Sequence, residues 1–200
     1  MVLLSWVISY LIGSISFSYL IAKKVAGIDI RSHGSGNAGA TNTLRVLGKG
    51  PGIAVLILDA LKGLAAMGIT HLITGDPLAY AVSGLFAIAG HNWPIFFGFR
   101  GGKGIATTLG VALGFSPVAF LIGAVVAVVL IAVTRFVSLG SLALVTVLPI
   151  AVYLLDKPIS FFWTSLILAV FAYVRHYKNI RNLIAGTERK LGDKSHRNLS

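Results

Sequence analysis

Two hundred residues allow one compact unit and no second sizeable domain, so 1–200 is read as a single domain. Hydrophobic residues make up 56% and charged residues only 12%, too few to coat a water-facing surface, which excludes a disordered chain, a coiled coil and an ordinary soluble globule and leaves an integral membrane protein. Seventeen Lys and Arg against six Asp and Glu give +11; in a membrane protein such charges belong to loops, which points to anionic head groups or a phosphorylated substrate rather than nucleic acid.

A helical span needs about 20 apolar residues. Seven stretches are read as spans: 2–22, 52–73, 77–90, 105–116, 117–134, 138–155 and 159–174. The third and fourth are short and rely on tilt or on the aromatic run Trp93–Phe99 beside them. No basic residue precedes the first span and Lys23 and Lys24 follow it, the reverse of a signal peptide, so it is read as retained with the N-terminus outside. Alternation then places 23–51, 91–104, 135–137 and 175–200 inside, with fifteen of the seventeen basic residues, which supports an outside N-terminus and a cytoplasmic C-terminus. A rival topology folds 77–116 back as a re-entrant hairpin and keeps five spans, but it carries Arg100 and Lys103 into the membrane. The fold class is therefore all-α, with seven transmembrane helices.

The inside segments hold the chemistry. Residues 33–45 run His-Gly-Ser-Gly-Asn-Ala-Gly-Ala-Thr-Asn-Thr-Leu-Arg. Glycines let backbone N–H groups converge on an anion; Ser35, Asn37, Thr41 and Asn42 add neutral hydrogen-bonding groups, and Arg45 adds a planar fork suited to phosphate. Residues 90–108 contain Gly101-Gly102-Lys103-Gly104 before a helix start, so backbone donors, a lysine and a helix N-terminus point at one place. This is not a nucleotide phosphate loop, whose pattern requires Ser or Thr where Gly104 stands. The aromatics Trp93, Phe96, Phe97 and Phe99 belong at the lipid interface. In residues 175–190, His176 and Asn179 share a face if the last span continues as helix, and Gly186-Thr187-Glu188 follows.

Three further features stand apart. Asp59 and Lys62, three apart inside a span, form either a functional pair or an ion pair locking two helices. Arg135, Ser138 and Ser141 lie where the fifth span turns into the sixth and add a cation and two hydroxyls beside the loops. His71 and Asp76 make the H-x-x-x-x-D spacing of many glycerolipid acyltransferases, but at the outer end of a span, where chance explains it better. Zero Cys excludes disulfides, thiolate catalysis and Cys-ligated metals.

Taken together, Gly34–Asn42, Gly90-His-Asn-Trp-Pro-Ile-Phe96 with Gly101–Thr107, and Arg175-His176-x-x-Asn179-Ile-Arg181 with Ala185–Glu188 resemble the bacterial acyl-phosphate:glycerol-3-phosphate acyltransferases, the PlsY family, in order and over essentially the whole chain. The resemblance implies transfer of the acyl group of a fatty acyl phosphate to the 1-hydroxyl of sn-glycerol 3-phosphate. The products are 1-acyl-glycerol 3-phosphate and inorganic phosphate, in the first acylation of phospholipid synthesis. It implies Lys103, His176 and Arg45 as catalytic residues, and Ser35, Gly36, Asn37, Gly39, Thr41, Asn42, Gly101, Gly102, Gly104, Ser141, Asn179 and Glu188 as substrate-binding residues. The glycine loops would cradle phosphate through N–H groups, Arg45 and Lys103 would hold phosphate charge, and His176 and Asn179 would position glycerol 3-phosphate. Either His176 or the donor's own phosphate oxygen takes the hydroxyl proton. No cofactor, metal or nucleic acid is expected. The partners are the two substrates and membrane lipid, and the expected state is a monomer in the bacterial inner membrane with its site on the cytoplasmic side. The alternative from another class is an organic-phosphate transporter, which the odd span count and the lack of an inverted repeat disfavour.

Overall fold

The structure is a computed structural model that describes residues 1–193; the last seven residues, with two of the basic residues assigned to the inside, lie outside the described ones. Among the described residues there are ten α-helices and no strand: α1 (Val2–Gly13), α2 (Phe17–Ala26), α3 (Ala40–Leu47), α4 (Lys49–Thr74), α5 (Pro77–Asn92), α6 (Ile105–Phe115), α7 (Pro117–Thr134), α8 (Val137–Leu154), α9 (Ile159–Arg175) and α10 (Tyr177–Ile184).

Local chemistry marks the ends. Asp76 caps α5 by accepting from the Ala79 N–H at 2.7 Å, with Pro77 in the first turn, and Ser116 with Pro117 does the same for α7. Thus Asp76 serves α5, and His71 lies exposed at the end of α4 with its ring edge toward Tyr80.

By length and apolar composition, four stretches suffice to cross a bilayer: Val2–Ala26, α4, α7 and α8; α9 with α10, bent 64° apart, makes a fifth. The expected third and fourth spans become α5, of 16 residues, and α6, of 11. Neither is long enough by itself to count as a span, and both are among the most enclosed helices. Met67, Ile88, Val111, Leu148 and Leu168 form the core around them. The outward faces of α1, α4, α7 and α9 expose Leu3, Leu61, Val133 and Val170, a lipid-compatible surface.

Two elements differ from the sequence reading. The first span breaks at Ser14–Ser16 into α1 and α2, and the polar segment 40–47 is helical. Helices approach closely through small residues. A Cβ on Gly13 would meet the Ala87 carbonyl at 2.0 Å, and one on Gly110 would meet the Ala60 carbonyl at 1.9 Å.

Candidate active site

The basic loops meet at one end of the bundle, around a cavity of about 370 Å³. Its wall has two characters. Ser35, Asn37, Thr41, Arg45, Lys103, His176 and Asn179 make one side polar; Ile53, Leu56, Leu109, Ala124, Val128, Ile131 and Leu144 make the other apolar.

Two helices begin at the polar side. Gly39 precedes α3 and Gly104 precedes α6, and neither start has a side-chain cap. The first helical bonds run from Thr43 N–H to Gly39 O and from Thr108 N–H to Gly104 O. The amides of 40–42 and 105–107 therefore lack helical partners, and their partial positive charge is directed to the cavity that Ala40, Thr41, Ile105 and Ala106 line. Gly104 has φ +82°, a left-handed conformation that favours glycine, and a Cβ there would meet Asn92 Oδ1 at 2.9 Å.

Lys103 lies in the loop that enters α6, and its ammonium donates to Asn179 Oδ1. Burial pushes this lysine down to about 8; Glu188 opposes that, while Arg45 and Arg175 add to it. Asn179 in turn donates to Glu188 Oε1 at 2.6 Å, and Ser138 Oγ donates to the same oxygen at 2.7 Å. Asn182 reaches Glu188 Oε2 at 3.4 Å. The Glu188 carboxylate thus gathers three donors and fastens the tail to α8 and α10. Arg135 donates to the Leu191 carbonyl at 2.7 Å and accepts from the Leu191 N–H at 2.6 Å, and Arg45 reaches the Arg189 carbonyl.

His176 sits at the break between α9 and α10, 3% exposed. Its Nδ1 lies 2.8 Å from the Ala172 carbonyl and donates to it, which leaves the Nε2 lone pair free. Burial, then the nearby Lys103, push the imidazole down to about 4, so it is neutral at pH 7. The helix does not continue straight through His176 as the i, i+3 reading supposed, yet His176 and Asn179 both face the cavity.

Of the residues singled out from sequence, Ser35, Asn37, Gly39, Thr41, Asn42, Arg45, Lys103, Gly104, Ser141, His176, Asn179 and Glu188 line the cavity together. Asn42 is also an internal brace: it accepts from the Ser35 N–H at 2.8 Å and donates to the carbonyls of Ile30 and His33. Ser141 Oγ donates to the Val137 carbonyl. Gly36, Gly101 and Gly102 are not in the lining. The Gly36 and Gly102 amides donate to the carbonyls of His33 and His91. A Cβ at Gly101 would meet the His91 carbonyl at 2.0 Å. Close packing explains glycine at 101 and 102, and at 102 the N–H is already taken by the His91 carbonyl.

Sequence reasoning gave Arg175 and His91 no role in the site, and left Asp59 open between a functional pair and an ion pair with Lys62. Arg175 donates to the carbonyls of Gly101 and Gly102, and Asp59 and His91 reach the cavity wall. No local signal distinguishes Arg175 from a stop-transfer arginine.

The sequence profile described as glycerol-3-phosphate acyltransferase matches residues 3–186. A glycerol-3-phosphate acyltransferase of Halalkalibacterium halodurans is 51% identical over 96% of this chain and 97% of its own length. One of Shouchella clausii is 53% identical over 92% and 93%. Among solved structures, the glycerol 3-phosphate form of PlsY, an integral membrane glycerol 3-phosphate acyltransferase, superposes with a TM-score of 0.90 at 37% identity, over 96% of each chain. Its lysophosphatidic acid form gives 0.87 at 36%, over 96% of this chain and 95% of that one.

Proposed function

The chain belongs to the glycerol-3-phosphate acyltransferase family, and on that premise we propose that it acylates the 1-hydroxyl of sn-glycerol 3-phosphate from a fatty acyl phosphate. The products are 1-acyl-sn-glycerol 3-phosphate and inorganic phosphate, in the first acylation of phospholipid synthesis. The supporting observation is the pair of uncapped helix starts, α3 and α6, that open with Arg45 and Lys103 on one cavity whose far wall is apolar. Two phosphorylated substrates need two anion sites, and an acyl chain needs a wall that does not compete for hydrogen bonds. The solved forms of PlsY with glycerol 3-phosphate and with lysophosphatidic acid support the acceptor and the product.

In the step itself the acceptor hydroxyl oxygen attacks the acyl carbonyl carbon. The bond from that carbon to the phosphate oxygen breaks, and phosphate leaves with the electron pair. Arg45, Lys103 and the amides of 40–42 and 105–107 take up the charge that grows on the departing phosphate. His176 Nε2 accepts a hydrogen bond from the neighbouring 2-hydroxyl of glycerol 3-phosphate and orients the acceptor, which leaves the single proton of the attacking hydroxyl for the phosphate. An imidazole held near 4 is a weak base, so the departing phosphate takes the proton. Asn179, with one end on Lys103 and the other on Glu188, holds the acceptor; Ser35, Asn37, Thr41 and Ser141 add hydrogen bonds at the rim. Glu188 acts through Asn179, since a carboxylate repels phosphate.

Purified protein in detergent, given glycerol 3-phosphate and each donor in turn, tests this reading. Lysophosphatidate is expected from acyl phosphate and not from acyl-CoA or acyl carrier protein. The site is sized for a bare phosphate, and a thioester donor would need a docking surface for its large handle. Comparable rates from acyl-CoA would overturn the donor assignment. Phosphate release that requires glycerol 3-phosphate, without a sealed membrane, separates an enzyme from a transporter.

The multi-pass chain is placed in the bacterial inner membrane as a monomer with seven spans, α5 and α6 completing the count, its N-terminus outside and the site facing the cytoplasm. The positive-inside bias supports this: Lys23, Arg45, Lys103, Arg135 and Arg175 all stand at helix ends on the cavity side of an alternating chain. Cysteines placed at the exposed Asp76 and Asp156 are expected to react with an impermeant thiol reagent on intact cells, and one at Arg100 is not. The opposite pattern would put the site outside.

A further inference from the structure

The mechanism leaves a buried charged cluster unused. Asp59 and Lys62 on α4 are 1% and 4% exposed, and His91 at the end of α5 is 6% exposed. An ammonium has three donors and no acceptor. The Lys62 ammonium donates to the Ile15 carbonyl at 2.6 Å, in the break between α1 and α2, and lies 3.0 Å from His91 Nδ1, and it is ion-paired with Asp59 Oδ1 at 2.8 Å. Donation to Nδ1 leaves the hydrogen of a neutral ring on Nε2 and fixes the ring's orientation.

The other edge of that ring is the seat of the glycine segment. A Cβ on Gly102 would lie 2.1 Å from His91 Nε2 and 2.7 Å from the Ala38 carbonyl. The Gly102 N–H donates to the His91 carbonyl at 3.1 Å. From the opposite side Arg175 donates to the Gly102 carbonyl at 2.7 and 3.0 Å. Gly102 is therefore clamped between His91 and Arg175, and the next residue is Lys103. A buried ion pair is costly to desolvate and two apolar side chains would fill the same space; what they would not supply is the donor to His91.

We propose that Asp59 and Lys62 are positioning residues, which hold His91 so that it seats Gly101–Gly102 and thereby sets where the Lys103 ammonium stands. Asp59 keeps the Lys62 charge in place, Lys62 fixes the imidazole, and the imidazole fixes the loop. This rests on the reading of Lys103 as a phosphate ligand.

The test is a pair of double-mutant cycles against Lys103→Ala. His91→Asn keeps an acceptor where Nδ1 stood but falls short of Gly102, whereas His91→Gln reaches it. His91→Asn is expected to lower kcat/KM about tenfold when Lys103 is present and by less than about twofold in the Lys103→Ala background, because coupled residues do not add. His91→Gln, which reaches Gly102 but leaves Lys62 without its acceptor, is expected to recover only part of the loss. Where the double variant turns over too slowly to measure, the rise in melting temperature on adding glycerol 3-phosphate is read for the same four proteins. Should His91→Asn fail to fold, Asp59→Leu with Lys62→Met removes both charges together and is expected to give the same non-additivity. Equal losses in both backgrounds would make the cluster merely structural and overturn the proposal. Wild-type activity of Lys103→Ala alone would instead overturn the role given to Lys103.

Discussion

Lys103→Ala is expected to lower kcat/KM by about ten- to a hundredfold, from about 1.5–3 kcal/mol for a hydrogen bond to a charged group, while expression and melting stay normal. The side chain sits in a loop and its polar partner is Asn179, so its loss removes little packing. The pH profile carries the same assignment. Burial holds this ammonium at about 8, so it is charged below that pH and neutral above it. Activity that depends on the charged form falls as pH rises through about 8, and kcat/KM reports the free enzyme. A guanidinium stays charged throughout, so Lys103→Arg is expected to lose that alkaline limb. An unchanged limb in Lys103→Arg would assign it to another group, and wild-type rates in Lys103→Ala would remove the lysine from the site.

His176→Ala is expected to cost more, roughly a hundredfold or above, the range for misplacing a reactant that a positioning group holds. Its Nδ1 is anchored on Ala172 and its ring lines the cavity, so alanine removes both the anchor and the acceptor left on the ring. His176→Gln separates the two roles. A glutamine carbonyl accepts a hydrogen bond but does not serve as a base, so substantial recovery is expected if orientation is the contribution. Activity as low as that of alanine would restore the imidazole as the base. His71→Ala, on the exposed end of α4, is expected to be near neutral. A severe loss there would move the chemistry to the other face of the membrane.

Much of the fold and of the cavity wall was legible in the sequence because two signals are local. Apolar runs bounded by Asp76-Pro77 and Ser116-Pro117 announce helices and their starts. Glycine, asparagine and arginine dense in 33–45 announce a loop that works. What stayed hidden depends on partners far along the chain. Gly102 reads as a phosphate-cradling glycine until His91 and Ala38 are seen pressed against it. The three donors that converge on Glu188, from Ser138, Asn179 and Asn182, are likewise invisible along the chain. The Asp59–Lys62 pair is visible as an anomaly in an apolar run, but its third partner lies 29 residues beyond Lys62. Helix α3 escaped because a single eight-residue amphipathic helix carries few apolar positions by which to see a period.

The clasp between Leu191 and Arg135 bears on how the protein is made. Synthesis runs from Met1 onward, so the two uncapped helix starts, α3 and α6, exist long before Asn179, Glu188 and Leu191 leave the ribosome. Until then the anion-attracting amides face a half-built cavity, with Lys103 lacking Asn179 and Ser138 lacking Glu188. The site closes only when the tail folds back onto the turn between α7 and α8. A chain that ends before α10 therefore carries both helix starts but neither the Asn179 partner of Lys103 nor the Glu188 partner of Ser138.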